Sequence, residues 1–108
     1  KAYVKEGCPY SFKFLLFMAE AGLLDSIEIH RCDPNSRQFD EEKARLTTWL
    51  GAKATFPAVE TEPGKYLSDS DRLIQFYADR HGVTTERLPV LAFYKETILP
   101  QLEKLHRS

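Results

Sequence analysis

Cysteine is scarce in this chain: Cys8 and Cys32 are the only two, 24 positions apart. That is neither a disulfide framework nor a zinc pattern, so no metal is expected. A reduced, intracellular and cytoplasmic protein is the better reading. A surplus of either charge is missing too, since 15 Lys and Arg stand against 16 Asp and Glu. The net charge of −1 offers no electrostatic grip on nucleic acid or anionic lipid. The longest apolar run, Phe14 to Ala19, falls far short of the roughly 20 residues that a spanning helix needs, so no membrane partner is expected. Neither Met nor a signal pattern stands at the start, and Lys1 is expected to be a processed or trimmed end. Internal repeats and low-complexity segments are also missing.

What is present is the composition of an ordinary globule, 43% hydrophobic and 29% charged over 108 residues. A chain of this size buries roughly 65% of the surface its unfolded form exposes, enough for one core. Ala2 to Lys5 reads as a strand, broken by Gly7-Cys8-Pro9. Proline suits the first position of a helix, where its missing N–H would have no partner anyway. The helix then runs to Ala21 and stops at Gly22. Phe12, Leu15, Leu16 and Ala19 mark its expected inner face, with Phe14, Phe17 and Met18 beside them, so apolar residues nearly encircle it. Ser26 to Arg31 alternates and reads as a second strand with Ile27 and Ile29 inward. Phe39 to Leu50 is an amphipathic helix ending at Gly51, with Phe39, Leu46, Trp49 and Leu50 as inward candidates.

Pro57 to Thr61 is a third strand, and Lys65 to Leu67 returns from the turn Glu62-Pro63-Gly64-Lys65. Ser68 or Asp69 caps a further helix to about His81, with Leu73, Ile74, Phe76 and Tyr77 inward and Gly82 as its stop. The order strand, helix, strand, helix, hairpin, helix implies a mixed four-stranded sheet with helices on both faces. That is the α/β plan of thioredoxin, followed by a C-terminal helical extension. The expected division is 1–82 for the sheet domain and 83–108 for the extension. In the extension Leu88, Leu91, Tyr94, Ile98, Leu102 and Leu105 recur at three- and four-residue steps, with Pro100 expected to kink or restart the helix. This stripe is expected to pack beside the first and last helices of the domain, with any remaining patch supporting a homodimer.

Cys8 is the residue whose position argues for reactivity. Cysteines at helix N-termini have pKa values lowered to roughly 3.5–7.5, and the thiolate is the nucleophile. Cys32, at a strand end with no helix to activate it, reads as structural. Phe56-Pro57 opens the third strand where a thioredoxin-like sheet carries a cis-proline, whose bond would offer the Phe56 backbone N–H and C=O to an extended peptide. Leu67-Ser68-Asp69-Ser70 opens the last helix of the domain, and exposed N–H groups there suit a carboxylate while Asp69 suits an ammonium.

Cys8-Pro9-Tyr10-Ser11, Phe56-Pro57-Ala58-Val59-Glu60 and Leu67-Ser68-Asp69-Ser70, with Ile74 a turn later, resemble the N-terminal domain of the glutathione transferase family. The CPYS motif also resembles the glutaredoxins. The resemblance covers about Ala2 to Gly82. It implies glutathione as co-substrate, Cys8 as nucleophile, and Ser11 at the second catalytic position of the motif, where dithiol glutaredoxins carry Cys. It further implies that Pro9, Tyr10, Phe56 and Pro57 line bound glutathione and that Asp69 and Ser70 hold its γ-glutamyl end. Lys53 is the nearest basic residue for the glycine carboxylate. Phe56 stands where the family usually has Val, and the family's all-helical second domain is represented here by one or two helices. The expected activity is a glutathione-dependent thiol transferase or reductase acting on an electrophilic or disulfide second substrate. The alternative is a non-catalytic glutathione-binding or dimerisation module. Cluster carriage is disfavoured by CPYS in place of CGFS.

Overall fold

A computed structural model describes residues 1–107, with side chains through Leu105; Ser108, the last residue of the expected extension, lies outside them. Four strands, β1 (Ala2–Lys5), β2 (Ile29–Cys32), β3 (Ala58–Glu62) and β4 (Lys65–Ser68), form one sheet in the order β2-β1-β3-β4. β1 pairs with β2 in parallel, and β1–β3 and β3–β4 are antiparallel. Helices α1 (Pro9–Glu20) and α3 (Ser70–His81) cover one face, and α2 (Phe39–Leu50) covers the other. This is the thioredoxin-like α/β fold with a helical C-terminal segment.

The period-2 geometry of strands sorts the core into two sets. Ala2 and Val59 meet Phe14, Phe17 and Met18 of α1 and Leu73 and Tyr77 of α3. Tyr3 and Ala58 turn the other way, toward Leu46 and Leu50 of α2.

The inner face of α1 differs from the expected one. Phe14, Phe17 and Met18 are fully buried, whereas Phe12 is 53% exposed and Ala19 is exposed as well. Both sets satisfy helical spacing, and the position of the sheet decides between them. The second strand starts three residues later than expected because Leu24–Ser26 closes a 3₁₀ turn, with Ser26 Oγ donating to Leu23 O at 2.6 Å. Ile29 is accordingly on an edge strand and exposed. Trp49 is not an inward residue either: it lies outside, stacked on Tyr66 with ring centroids 5.0 Å apart.

The tail forms α4 (Pro89–Phe93), a π-helical turn at Tyr94–Ile98 and α5 (Leu99–Arg107). It joins the first core set, with Leu88 and Leu91 packed among residues of α1 and α3. Glu20 of α1 caps α4, its carboxylate accepting the N–H groups of Val90 and Leu91, both at 2.8 Å. The Leu99 N–H reaches back five residues to Tyr94 O. The wide turn absorbs Pro100, which has no N–H to continue the four-residue ladder. One residue added to a turn rotates the helix beyond it by about 100°. The buried residue is therefore Leu99, while Ile98 of the expected stripe is 41% exposed and Leu105 is outermost. Among the described residues no helix is long and apolar enough to cross a membrane.

Leu91→Ala should lower stability by about 2–4 kcal/mol, the usual range for a fully enclosed leucine. Ile98→Ala should stay within about 0.5 kcal/mol of the parent. Urea unfolding of the two variants checks this, and equal losses would contradict the phase shift.

Candidate functional site

Pro9 starts α1, so the preceding residue, Cys8, is its N-cap. Cap positions normally carry Ser, Thr, Asp or Asn, whose oxygen accepts an orphan N–H of the first turn. Here sulfur takes that role, with the Ser11 N–H donating to Cys8 Sγ at 3.4 Å. The start of the helix thus presents one backbone N–H to the sulfur. The Ser11 hydroxyl itself is turned away: it accepts the Lys5 N–H at 3.0 Å and ties α1 to β1. What Ser11 gives the thiol is its backbone.

The Phe56-Pro57 peptide is cis. Phe56 O faces Cys8 Sγ at 4.0 Å, so this loop and the helix start form the two sides of the thiol. Phe56 is held in turn by Phe39 of α2, their rings stacked with centroids 5.8 Å apart. Cys8 opens on a cavity of about 600 Å³ lined mainly by apolar groups, among them Phe12, Leu15, Ile29, Tyr94 and Leu102. Phe56 itself lines a second cavity, of about 260 Å³, with the polar residues Tyr10, Lys13, Thr55, Asp69, Ser70 and Asp71.

Asp69 caps α3, accepting the N–H groups of Asp71 at 2.9 Å and Arg72 at 3.3 Å. Its φ of 85° is the one positive value outside glycine among the described residues. For a side-chain-bearing residue this costs on the order of 1–3 kcal/mol and persists where the surroundings over-determine it. Ser70, buried, begins the helix beside it.

A family model described as glutathione S-transferase, N-terminal domain, matches residues 7–80. The chain belongs to that family. No curated protein and no solved structure gave a match. The matched span of this transferase domain contains the Cys8 cap, the cis peptide and the Asp69-Ser70 pair together.

Of the residues singled out from the sequence, Cys8 and Pro9 line the apolar cavity, and Tyr10, Phe56, Asp69 and Ser70 line the polar one. Pro57 is buried immediately before β3, which begins one residue later than expected, at Ala58. Lys53 is the exception: it is exposed in the loop after α2 and lines neither cavity.

Two residues that line these cavities, Lys13 and Tyr94, are not among the expected site residues. Lys13 sits mid-helix among apolar residues, only 4% exposed, and its Nζ pairs with Asp71 Oδ1 at 2.8 Å on the wall of the polar cavity. A lysine inside an apolar run was the available signal. Tyr94, from the tail, donates its hydroxyl to Pro9 O at 2.6 Å and packs edge-on against Phe12. Burial raises its phenol above the usual value, with Cys8 the next cause. Tyr10 OH donates to Glu103 of the tail at 2.8 Å.

The hydrogen bond from Lys13 holds the Asp71 carboxyl below the usual carboxylate range. Its contribution to stability is present above the ordinary Asp value of about 3.9 and is lost as pH falls through the lowered one. From about pH 6 down to about pH 3 the parent should therefore lose more urea stability than Asp71→Asn. Parallel curves for the two proteins would show that the pair contributes nothing.

The two thiols differ sharply. Cys32 is completely enclosed, and burial first, then Glu42, pushes its thiol up to about 11. In the folded protein iodoacetamide should modify Cys8 and leave Cys32 untouched until denaturant is added. Mass spectrometry of the alkylated peptides reads this directly, and comparable labelling of both would overturn it.

Proposed function

We propose that this chain carries a glutathione-dependent thiol transferase or reductase site in which Cys8 is the nucleophile. The observation that carries the reading is the Cys8 sulfur at a helix cap, on the wall of an apolar cavity and 4.0 Å from the carbonyl of Phe56, a residue that lines the second cavity with Asp69 and Ser70. A tripeptide with a thiol at its centre and charged ends matches that layout. Its cysteinyl unit would pair with the backbone of Phe56, and its γ-glutamyl end would reach Asp69 and Ser70. There the carboxylate of Asp69 meets the ammonium, and the Ser70 hydroxyl and helix start meet the carboxylate. Lys53, outside the cavity, has no part in this reading, which leaves the glycine carboxylate toward solvent. The apolar cavity receives the second substrate.

In the reaction Cys8 thiolate attacks the glutathione sulfur of a glutathionylated substrate. The substrate leaves as its thiolate and Cys8 is left in a disulfide with glutathione. A second glutathione thiolate then attacks the glutathione sulfur of that disulfide. Oxidised glutathione departs and Cys8 is regenerated. Ser11 in place of a second cysteine supports this route, because no disulfide can close within the motif. The free state of Cys8 and Cys32 accords with a reducing, cytoplasmic setting. Residues 1–82 form the glutathione-binding domain in this reading, and 83–108 a helical extension, the start or a remnant of a helical domain, whose Tyr94 and Leu102 line the apolar cavity.

Cys8→Ser should abolish turnover of a glutathionylated peptide. Ser70→Ala and Asp69→Asn should each weaken glutathione by about 1–2 kcal/mol, or about 5- to 30-fold. Asn keeps an oxygen for the helix cap, so Asp69→Asn separates charge from capping. Calorimetric titration measures both. Unchanged affinity would mean that the pair only caps α3, and binding without turnover in the parent would mark a non-catalytic binding module.

A further inference from the structure

Away from Cys8, on the α2 side of the sheet, three chemically different donors converge. His30 and Cys32 are two apart on β2 and so share a face. Glu42, in the first turn of α2, lies over that face. The ligand atoms of the three residues all lie within 4.8 Å of one another. His30 Nε2 and Glu42 Oε2 already form a hydrogen bond. Cys32 is fully buried and Glu42 buried, whereas the His30 side chain is 37% exposed and opens the cluster to solvent. Their neighbours Ile29 and Arg31 point to the opposite face and line the Cys8 cavity, so the cluster stands outside the glutathione site.

We propose that His30, Cys32 and Glu42 form a binding site for a divalent ion of the zinc type. Nε2, Sγ and one carboxylate oxygen are its protein ligands and a water its fourth. Imidazole, thiolate and carboxylate are the three ligand types that zinc takes, at about 2.0–2.3 Å. Bonds of that length around a tetrahedral ion place the ligand atoms about 3.3–3.8 Å apart. Side-chain shifts of about 1 Å reach that spacing by parting the hydrogen-bonded His30 Nε2 and Glu42 Oε2 and drawing them toward Cys32 Sγ, and the partly exposed imidazole has the room to move. On binding, the ion displaces the Cys32 thiol proton to solvent, Glu42 binds as the carboxylate, and His30 binds through Nε2 as the neutral imidazole with its hydrogen on Nδ1. No electron is transferred. Thiolate and carboxylate together bring two negative charges, which neutralise a divalent cation in a partly buried place. The site would pin the edge strand β2 to α2.

The test uses the full, tag-free chain with Cys8→Ser, which removes the other thiol and leaves the cluster intact. Cobalt(II) serves as the spectroscopic probe. One equivalent should produce a thiolate-to-cobalt charge-transfer band together with the strong visible bands of four-coordinate cobalt, and zinc chloride should bleach both. His30→Ala and Glu42→Gln, which leave the buried sulfur in place, should each weaken cobalt binding by at least about tenfold. Cys32→Ser should remove the charge-transfer band, and its folding is checked by circular dichroism. Absence of that band from the Cys8→Ser chain would overturn the proposal. So would a band unaffected by both His30→Ala and Glu42→Gln. Because the background lacks Cys8, either outcome leaves the proposed transferase chemistry untouched.

Discussion

The Lys5 N–H donates to Ser11 Oγ, and the Ser11 N–H donates to Cys8 Sγ. One residue thereby couples the end of β1, the first turn of α1 and the thiol. A serine here has the right reach, since its hydroxyl can accept from the strand while its backbone stays in the helix. The same turn is braced from two other directions, by Tyr94 on Pro9 O and by Glu103 on Tyr10 OH. The turn that carries the thiol is therefore held by backbone and by the tail. Removing the Ser11 side chain would leave the Lys5 N–H without that acceptor, so the position is more than a vacant second-cysteine site.

Sheet geometry separates two chemistries that share one strand. Along β2, Ile29 and Arg31 face the cavity at Cys8 while His30 and Cys32 face α2. Alternation of side chains keeps the two sets on opposite sides of the backbone. Neither set can exchange places without a one-residue slip of β2, and the parallel register with β1, in which Lys5 is opposite Cys32, opposes such a slip. A partly buried thiol at a helix cap and a fully buried one thus coexist in one small domain without meeting across the sheet.

Much of this was legible from local chemistry. Pro9 after Cys8, Gly51 and Gly82 at helix ends, and the Pro63-Gly64 turn each encode a backbone event within a few residues, and the helices and the order of strands follow from them. The α2 bounds agree with the sequence pattern residue for residue. What was not legible depends on contacts between distant segments. Phe12 and Phe14 both fit an apolar helix face, and only the sheet makes the second one internal. Lys13 owes its burial to a carboxylate 58 positions away. Lys53 is near the site in sequence only, and the loop carries it outside both cavities. His30, Cys32 and Glu42 have no recognisable spacing because a strand and a helix from separate segments bring them together.

The tail shows how a packing constraint becomes a feature of the site. Leu88, Leu91 and Leu99 bury it against the domain, and Glu20 caps its first helix, so its position is determined at the end of α1 farthest from Cys8. The π turn then changes the phase of the chain as it runs back along α1. Without that extra residue Ile98 would take the inward position of Leu99, and α5 would approach α1 rotated by about 100°. With it, Leu102 reaches the wall of the apolar cavity beside Cys8, and Glu103 reaches Tyr10. Pro100, which forbids a regular helix at this point, is therefore one of the residues that shapes the space over the thiol.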